Sequence, residues 1–364
     1  MKVVLLEPFF SGSHKTWALD FARHSTHSVE ILSMPGVHWK WRMHGAAAHF
    51  ARSIENTFQA HQIDRILTTD MMDVAQFRGL LPPQFRHIPV LIYMHENQLN
   101  YPWSATDRDV PLQRDQHYAY INFSSVLAAD GVAFNSFYHQ RAFLNALPGF
   151  LQSFPDFNLN ETLDKINRKC TVLPLSLSLP NDWTSEQNQA DPPLILWNHR
   201  WEYDKQPEAF FALLERVKAA GIPFRLAVLG KSNPKYPKIF DEARNTFKEE
   251  MVHWGFVESR NHYFHWLKQA QFLPVTSIQD FFGGSIVEAI SYGAMPLLPN
   301  RLAYPEHVPS EWHSYCLYEE GELLTKFITQ LRNKAVGEPT ALAEFVKKYD
   351  WKNQIGKYDE WLQA

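Results

Sequence analysis

Short apolar runs of strand length alternate with longer segments of helical period along almost the whole chain, in two successive series. In the first series, for example, the apolar residues 131–134 precede a helical pattern over 136–152, with Ser136 placed to cap it. Such alternation predicts a parallel β-sheet covered by helices on both faces. A chain of 364 residues is too long for one ordinary core. We therefore predict an α/β protein of two doubly wound, Rossmann-like domains that face each other across a cleft.

The predicted domains are an N-terminal one over 1–180, a C-terminal one over 181–350, and a helix over 351–364 that packs back toward the N-terminal domain. The boundary falls in the polar, proline-bearing stretch 180–193, because such sequence adds little to either core. Predicted strands cover 3–7, 29–33, 65–69, 89–93, 131–134, 171–175, 194–197, 224–229, 251–254, 272–276 and 295–298. Predicted helices cover 14–24, 40–58, 113–129, 136–152, 207–220, 235–247, 262–270, 284–292 and most of the chain from 320 onward.

Composition and charge exclude several classes of protein. Hydrophobic residues make up 45% and charged residues 20%, which predicts a folded chain. No stretch approaches the about 18 consecutive apolar residues of a membrane span, so a cytoplasmic protein with no membrane partner is expected. The net charge of −4 means that a nucleic-acid partner must meet a local patch. Cys170 and Cys316 lack metal-ligand spacing and are expected to be ordinary buried thiols.

The strongest local signal is the segment 280–288, in which two acidic residues, Asp280 and Glu288, flank a glycine pair. The glycine pair is predicted to open a helix, whose first-turn N–H groups can bind a diphosphate. The residues expected to contact a donor there are Phe282, Gly283, Gly284 and Ser285. A helix with incidental acidic residues is the alternative.

A second signal is the loop 198–207, which follows the first predicted strand of the second domain. Arg200 and Lys205 are close enough in sequence to converge on one anion, Arg200 through its planar guanidinium and Lys205 as a mobile point charge. Taken alone, a solvated charged loop is the alternative, but the glycine-turn motif favours the anion site.

A third element, residues 9–15, follows the first predicted strand. Gly12 allows the backbone to approach a ligand closely, and the helix that follows presents another anion-binding N-terminus. Gly12 and Ser13 are therefore candidate donor contacts, and His14 and Lys15 candidate acceptor contacts. A plain tight turn is the alternative.

Polar side chains also follow two predicted strands of the first domain, where open α/β sheets bind ligands. His95, Glu96, Asn97 and Gln98 come directly after residues 89–93. They are expected to meet a ligand, and a structural cluster in which they satisfy one another is the alternative. Asp70 and Asp73 follow residues 65–69, and one of them is a candidate acceptor contact. Helix N-capping is the more probable role of either by sequence.

Aromatic and basic residues alternate in the segment 39–42, Trp-Lys-Trp-Arg. Trp39 and Arg42 are candidates to contact the bases or sugars of an acceptor. The alternative is the start of an amphipathic helix with tryptophan in the core.

The glycine-turn segment and the Arg200–Lys205 loop resemble the retaining GT-B glycosyltransferases, whose signature places two acidic residues around such a turn. The resemblance implies that Glu288 accepts hydrogen bonds from the nucleotide ribose and that Asp280 contacts sugar hydroxyls. It also implies that Arg200 and Lys205 hold the donor pyrophosphate. The family usually has Glu where this chain has the shorter Asp280.

Residues 7–15, 35–42 and 95–98 together resemble the tRNA-queuosine α-mannosyltransferase family. That resemblance implies transfer of mannose from GDP-mannose to the cyclopentenediol of queuosine in tRNA-Asp, with retention of configuration. The implied partners are thus a nucleotide sugar and a queuosine-containing tRNA, with no cofactor and no metal. His95 and Glu96 would orient a hydroxyl of acceptor or sugar, Asn97 and Gln98 would bind acceptor edges, and no enzyme nucleophile is implied.

Other functions remain open from the sequence. They are a GT-B glycosyltransferase for a lipid, glycan or small-molecule acceptor, a GT-B sugar-nucleotide epimerase, and a nucleotide-sugar or tRNA-binding protein without turnover. Donor base, sugar, acceptor and oligomeric state are not readable from these residues.

Overall fold

The computed structural model describes residues 1–104, 107–112, 114, 116–180, 191–232, 235–333 and 339–364. The chain divides into two compact units. The N-terminal unit comprises Met1–Ser178 with Tyr349–Ala364, and the C-terminal unit comprises Leu179–Lys348. Most of the predicted linker, residues 181–190, lies outside the described residues.

Each unit contains a six-stranded sheet in which all pairings are parallel. The strands of the N-terminal unit are β1 (Lys2–Phe10), β2 (Ser28–Pro35), β3 (Arg65–Thr69), β4 (Val90–Met94), β5 (Gly131–Phe134) and β6 (Cys170–Val172). Those of the C-terminal unit are β7 (Leu194–Trp197), β8 (Arg225–Leu229), β9 (Met251–Gly255), β10 (Phe272–Pro274), β11 (Met295–Pro299) and β12 (Leu317–Tyr318).

Helices connect the strands in both units. In chain order they are α1 (Gly12–His24), α2 (Trp39–Thr57), α3 (Val74–Leu80), α4 (Gln116–Ala128), α5 (Phe137–Gln152), α6 (Leu163–Lys169), α7 (Pro207–Ala219), α8 (Ile239–Thr246), α9 (Arg260–Gln269), α10 (Gly284–Ser291), α11 (His313–Cys316), α12 (Leu323–Arg332), α13 (Pro339–Val346) and α14 (Trp351–Gln363). In the ranges given above, no helix combines the length and the apolar character needed to cross a bilayer.

The strands of the N-terminal sheet lie in the order β2-β1-β3-β4-β5-β6. The central strands are buried on both faces, and all five residues of β4 are buried, as expected where helices cover both sides of a parallel sheet. One face packs against α2 to α6, and its core includes Val4, Leu6, Phe50, Ile66, Phe77, Ile92, Phe123, Phe134, Phe143 and Ile166.

The opposite face of this sheet is covered by α1 and by the C-terminal helix α14. Trp17 of α1 stacks on Tyr93 of β4, with ring centroids 4.5 Å apart. The hydroxyl of Tyr358 in α14 donates to the Tyr93 hydroxyl at 2.9 Å, and the Tyr93 hydroxyl donates to the Leu173 carbonyl at 3.0 Å. The last helix of the chain is therefore part of the N-terminal unit, although the whole C-terminal unit precedes it in the sequence.

The strands of the C-terminal sheet lie in the order β12-β11-β10-β7-β8-β9. The order reverses between β7 and β10, as it does between β1 and β3 in the first sheet. Helices that leave two strands on opposite sides of such a reversal diverge to opposite faces, so a crevice forms at the carboxyl ends of those strands. The reversal points therefore locate the candidate sites.

Most predicted elements are confirmed within a few residues, and β3, β5 and β7 have the predicted bounds. Ser136 caps α5 by accepting a hydrogen bond from the His139 N–H at 2.9 Å. The short helices α3 and α6 and the strand β12 were not predicted, because two turns or two residues are too short for a periodic pattern to stand out. The predicted strand 171–175 ends at Val172 in the structure.

Asp359 anchors α14 to the loop that follows α1. Its carboxylate accepts from the Ser25 hydroxyl at 2.6 Å, the Thr26 N–H at 2.9 Å and the Thr26 hydroxyl at 2.7 Å. Burial alone would raise the pKa of Asp359, but these hydrogen bonds outweigh it and place the pKa below its usual value.

We predict that Asp359→Asn lowers the free energy of unfolding by about 1–3 kcal/mol, because buried donors lose a charged acceptor. Since the folded-state pKa lies below the unfolded value of about 3.9, this stabilisation is complete at neutral pH and is lost as pH falls through the folded value. Urea unfolding at pH 7 and in acid measures both effects, and hydrogen exchange over 351–363 locates them. Glu360→Gln, on the exposed side of α14, is the control. Equal losses in the two variants would contradict the anchoring role.

Candidate functional site

The loops after β7 and β10 meet at the reversal point of the C-terminal sheet. The Ile278 N–H donates to the Asp204 carbonyl at 2.8 Å, and the Thr276 hydroxyl donates to the Lys205 carbonyl at 2.9 Å. These bonds join the two loops directly. Asp204 and Lys205 lie in a short 3-10 turn that leads into α7. The two loops thus form one rigid edge, the C-terminal edge, which with α10 comprises residues 198–206 and 276–288.

Lys205 lies at the centre of the C-terminal edge and is only 6% exposed. Its ammonium is 2.9 Å from Asp280 Oδ1 and 3.1 Å from Asp204 Oδ2, and it donates to the Gln279 carbonyl at 2.7 Å. Burial lowers the pKa of Lys205, but the Asp280 and Asp204 carboxylates outweigh burial and raise it. The lysine is therefore a permanent cation at this edge.

Asp280 is held from both sides. Its Oδ1 accepts from Lys205, and its Oδ2 accepts from the Tyr304 hydroxyl at 2.7 Å. Burial alone would raise the pKa of Asp280, but the adjacent ammonium outweighs it and lowers the pKa. The first acid of the glycine-turn motif is thus an ionised carboxylate with a fixed direction.

Gly283 supplies the turn that starts α10. Its φ of +88° lies in the left-handed region, and a Cβ there would be 3.2 Å from Ile286 Cδ1 and 3.4 Å from the Tyr304 ring. Glycine alone fits both constraints without strain. His307 Nε2 donates to the Phe282 carbonyl at 2.6 Å and fixes the residue before the turn. The N–H groups of the first turn of α10 consequently have a defined direction at the edge.

Asn198 and His199 link the loop after β7 to the start of α10. The Asn198 amide donates to the Ser285 carbonyl at 2.7 Å, and His199 Nδ1 lies 3.4 Å from the Ser285 hydroxyl. Burial lowers the pKa of His199 to about 4, so the ring is neutral at pH 7. Gly230 makes room for this loop, since a Cβ there would lie 1.9 Å from the His199 carbonyl oxygen.

Glu288 lies one turn into α10 with its carboxylate mostly buried. The Tyr263 hydroxyl donates to Oε2 at 3.0 Å, and Arg260 Nη2 is 3.7 Å from Oε1. Both partners come from α9, three residues apart, so they share one face of that helix. The second acid of the motif is therefore an oriented hydrogen-bond acceptor.

Arg200 is the most exposed charged group of this edge. Its side chain is 58% exposed and lies 3.4 Å from Glu202 Oε1. The positive charge of Arg200 also lowers the pKa of Lys205, though less than the carboxylates raise it. The two cations thus share one edge, as the sequence predicted, but Lys205 is buried among carboxylates and Arg200 faces solvent.

The reversal point of the N-terminal sheet also gathers polar side chains, here called the N-terminal edge: Glu7, His14, Asp70, His95 and Glu96. Glu7 is fully buried in β1, and its Oε1 accepts from the Phe9 N–H at 2.8 Å and the Thr69 hydroxyl at 3.2 Å. His14, in the first turn of α1, places Nδ1 3.3 Å from Glu7 Oε1. Its ring lies 4.3 Å from that of His95.

Charge at the N-terminal edge is dominated by carboxylates. Burial lowers the pKa of His14, but Glu7 and, more weakly, Asp70 and Glu96 outweigh it and raise the pKa to about 9. Burial raises the pKa of Asp70 to about 7, against the opposing effect of His14. Burial and the His14 charge lower the pKa of His95 well below its ordinary value. The edge therefore pairs a basic imidazole with a neutral one.

Asp70 does not cap a helix, so that interpretation was wrong for this residue. Its Oδ1 instead accepts from the His95 N–H at 2.7 Å, across to the next strand end. Asp73 is the cap, since it accepts from the Gln76 N–H at 2.9 Å at the start of α3. The difference arises because Asp70 is buried beside β4, where its hydrogen-bond donor is the N–H of His95, which is distant in sequence.

Asn97 and Gln98 are bonded mainly to their own segment. Asn97 Oδ1 accepts from the Leu99 and Asn100 N–H groups at 3.0 and 3.1 Å, and the residue is fully buried. The Gln98 amide donates to Glu96 Oε1 at 2.9 Å. These contacts correspond to the alternative of a structural cluster, and they leave the acceptor role of both residues a prediction.

The aromatic segment 39–42 begins α2. Trp39 is half-buried against Trp103 and Tyr118, with ring centroids 6.3 and 5.1 Å away. Trp41 is 67% exposed, so the expectation of tryptophan in the core is wrong for this residue. Arg42 Nε donates to the Pro35 carbonyl at 3.2 Å. This segment presents both a packed and an exposed aromatic ring.

Comparison with known proteins places these two edges in context. Residues 2–177 match the family described as tRNA-queuosine alpha-mannosyltransferase N-terminal. The tRNA-queuosine alpha-mannosyltransferase of Drosophila melanogaster is 31% identical over 334 residues, 89% of this chain and 85% of the relative. The chain belongs to this family.

Solved structures show the fold of this queuosine mannosyltransferase family member. A sucrose-phosphate synthase from Thermosynechococcus elongatus has a TM-score of 0.71 at 14% identity and covers 100% of this chain and 98% of its own. The catalytic domain of starch synthase IV from Arabidopsis thaliana, bound to ADP and acarbose, has a TM-score of 0.69 at 13% identity, with 100% and 99% coverage. These likenesses confirm the predicted GT-B fold.

Other candidates in this family member lie at the start of α1. Gly12 has a φ of +52°, and Gly12 and Ser13 are exposed in the first turn. Lys15 is exposed, with its ammonium 5.5 Å from the centre of the Phe10 ring. Phe282, by contrast, has a buried side chain and offers only its backbone to a donor. Gly12, Ser13 and Lys15 thus remain accessible to a ligand.

Several residues of the two edges were not anticipated from the sequence: Glu7, Asn198, His199, Arg260, Tyr263, Tyr304 and His307. Glu7 lies inside a strand pattern, and Asn198 and His199 lie in the loop 198–207, of which only Arg200 and Lys205 were singled out. The other four come from segments without a motif. The i, i+3 spacing of Arg260 and Tyr263 was the one usable signal, but it points to a partner only once α10 is known to pack nearby.

We predict that Lys205→Met lowers the free energy of unfolding by about 3–5 kcal/mol, because it leaves two buried carboxylates without their cation. Asp280→Asn should cost less, since Lys205 keeps Asp204, and the double variant should cost less than the two losses together. Urea unfolding of the variants measures this coupling. Arg200→Gln, which removes a more exposed cation, is the control. It should change the free energy of unfolding by about 0.5 kcal/mol or less. Additive losses would show that the Lys205–Asp280 pair is not an energetic unit.

Proposed function

We propose that the chain transfers mannose from GDP-mannose to the cyclopentenediol of queuosine in tRNA-Asp, with retention of configuration. The observation that carries this proposal is the C-terminal edge: one buried cation, two oriented carboxylates and a glycine-opened helix at one reversal point. Family membership supports the acceptor and the sugar. The proposed setting is the cytoplasm, without a membrane partner.

The donor diphosphate binds where Arg200, Lys205 and the first N–H groups of α10 face one another. Gly283, Gly284 and Ser285 contribute backbone donors there, and Phe282 contributes only its backbone. The ammonium of Lys205 is already desolvated by burial, so its attraction for a phosphate oxygen is stronger than it would be in water. The cations and N–H groups meet the charge of the departing diphosphate without a metal ion at that position.

The sugar and ribose bind through the two carboxylates. Glu288 accepts from the ribose hydroxyls, and the Tyr263 hydroxyl bond keeps its carboxylate oriented for this. Asp280 accepts from sugar hydroxyls while Lys205 and Tyr304 hold it in place. Because both carboxylates are already held in place, less conformational entropy is lost when the donor binds.

The N-terminal unit supplies the acceptor contacts. His95 and Glu96 orient a reacting or neighbouring hydroxyl, and Gly12 and Ser13 are proposed donor contacts. His14, Lys15, Trp39, Arg42, Asp70, Asn97 and Gln98 are the proposed acceptor contacts. No covalent nucleophile takes part: the departing phosphate draws the proton from the acceptor hydroxyl as the new glycosidic bond forms on the same face of the sugar.

We predict a hexosylated queuosine when purified protein is incubated with GDP-mannose and queuosine-containing tRNA-Asp. Mass spectrometry of the digested nucleosides identifies the product, and nuclear magnetic resonance of the anomeric proton gives its configuration. Unmodified tRNA and UDP-glucose are the matched controls and should yield no product. Conversion of the nucleotide sugar without acceptor would instead establish the epimerase, and donor binding without any turnover would establish the binding protein.

We also predict that Glu288→Ala weakens GDP binding by roughly 10- to 100-fold, the effect of about 1.5–3 kcal/mol from hydrogen bonds to a charged group. Tyr263→Phe should weaken it less, because the carboxylate remains but loses its orientation. Calorimetry with GDP measures both. Glu242→Ala on the exposed side of α8 is the control, and equal affinity in the Glu288 and Glu242 variants would refute the ribose role.

A further inference from the structure

Three side chains of ligand type meet within the N-terminal edge. Glu7 comes from β1, His14 from the first turn of α1, and His95 from the residue after β4. One ligand atom of each lies within 4.8 Å of the other two. The three residues are 0%, 7% and 9% exposed, so whatever they bind is small and enclosed.

The three side chains each leave a polar atom without a hydrogen bond. These atoms are Glu7 Oε2, His14 Nδ1 and His95 Nε2, and all are inaccessible to solvent. An unsatisfied buried polar atom costs about 1–3 kcal/mol, so three in one place call for a common partner. His14 Nδ1 approaches Glu7 Oε1 to 3.3 Å without the alignment of a hydrogen bond.

The charge of the edge favours a cation as that partner. Glu7 is a fully buried carboxylate, and the buried Asp70 side chain lies at the neighbouring strand end. In the part of the chain that the structure describes, no lysine or arginine forms an ion pair with Glu7 or Asp70. A divalent ion bound by the cluster would meet the Glu7 charge directly.

The surroundings hold the ligands in position before any ion arrives. Phe9 and Thr69 fix the other oxygen of Glu7. The Asp70 carboxylate fixes the N–H of His95, and the Asn135 amide donates to its carbonyl at 2.8 Å. Such supporting hydrogen bonds are typical of protein metal sites, where they orient the first ligands.

We propose that Glu7, His14 and His95 bind one Zn²⁺ through Glu7 Oε2, His14 Nδ1 and His95 Nε2. Two imidazoles and one carboxylate suit zinc, whereas Mg²⁺ and Ca²⁺ prefer oxygen ligands. Ligand atoms about 2.1 Å from a tetrahedral zinc lie about 3.4 Å apart, so side-chain rotations must bring the most distant pair, up to 4.8 Å apart, closer by about 1.4 Å. A fourth position then remains for water or a hydroxyl. The bound ion would meet the charge of Glu7 and fix His95, and its ligands all belong to the N-terminal unit.

Metal content of the wild-type full-length chain tests this site directly. The protein is purified without a polyhistidine tag and without chelator, and its metals are measured by mass spectrometry. We expect about one zinc per chain. X-ray absorption at the zinc edge should show two imidazoles and lighter oxygen ligands, and a cobalt-substituted sample should absorb visible light. These readouts need no activity, so their failure and a failure of mannosyl transfer are distinguishable.

Variants identify the ligands. Glu7→Gln and His95→Gln should each weaken zinc binding at least about 100-fold in competition with a chromogenic chelator. Loss of a residue that only hydrogen-bonds to a metal ligand usually has a smaller effect. His49→Gln, which removes an exposed histidine of α2, is the control and should bind as the wild type does. Circular dichroism checks that each variant is folded. A wild-type protein that carries no zinc and binds it no tighter than His95→Gln would overturn the site, and a structural imidazole–carboxylate pair would replace it.

Discussion

The strand order of each sheet reverses once, and both candidate edges depend on that reversal. Between β7 and β10 the strand order reverses, and the loops that follow these two strands meet at that point. Lys205 follows one of these strands and Asp280 follows the other, and they meet at 2.9 Å. The reversal between β1 and β3 likewise brings Glu7 near Asp70. The order of the parallel strands thus determines which loops meet and where a ligand site can form.

The two edges differ in how their charge is balanced. At the C-terminal edge the ammonium of Lys205 is shared by two carboxylates, and exposed Arg200 adds a second cation beside them. Polar groups fixed in this way before a ligand binds need not reorganise during reaction. At the N-terminal edge, Glu7, Asp70 and Glu96 surround one basic imidazole. The first edge therefore holds its cations beside fixed carboxylates, whereas the second combines carboxylates with imidazoles.

Sequence patterns predicted the strands and helices of this fold well. They were less successful at predicting which side chains contact one another at the two edges. Buried parallel strands are continuous apolar runs, so β3, β5 and β7 were found with their observed bounds. The role of Asp70 was misjudged because local spacing suggests a cap, while its actual donor is the N–H of His95, 25 residues later. Glu7 was passed over because a strand pattern hides a buried carboxylate. Contacts between distant loops leave no periodic trace in sequence.

The aspartate at position 280 is a short acid whose direction is fixed by its neighbours. Both of its oxygens are engaged, Oδ1 by Lys205 and Oδ2 by the Tyr304 hydroxyl at 2.7 Å. Each carboxylate oxygen has two lone pairs, so one acceptor position remains on each. A glutamate at this position would extend farther by one methylene group. The proposed reach to the sugar consequently depends on Tyr304 and Lys205, which hold the shorter side chain in a single direction.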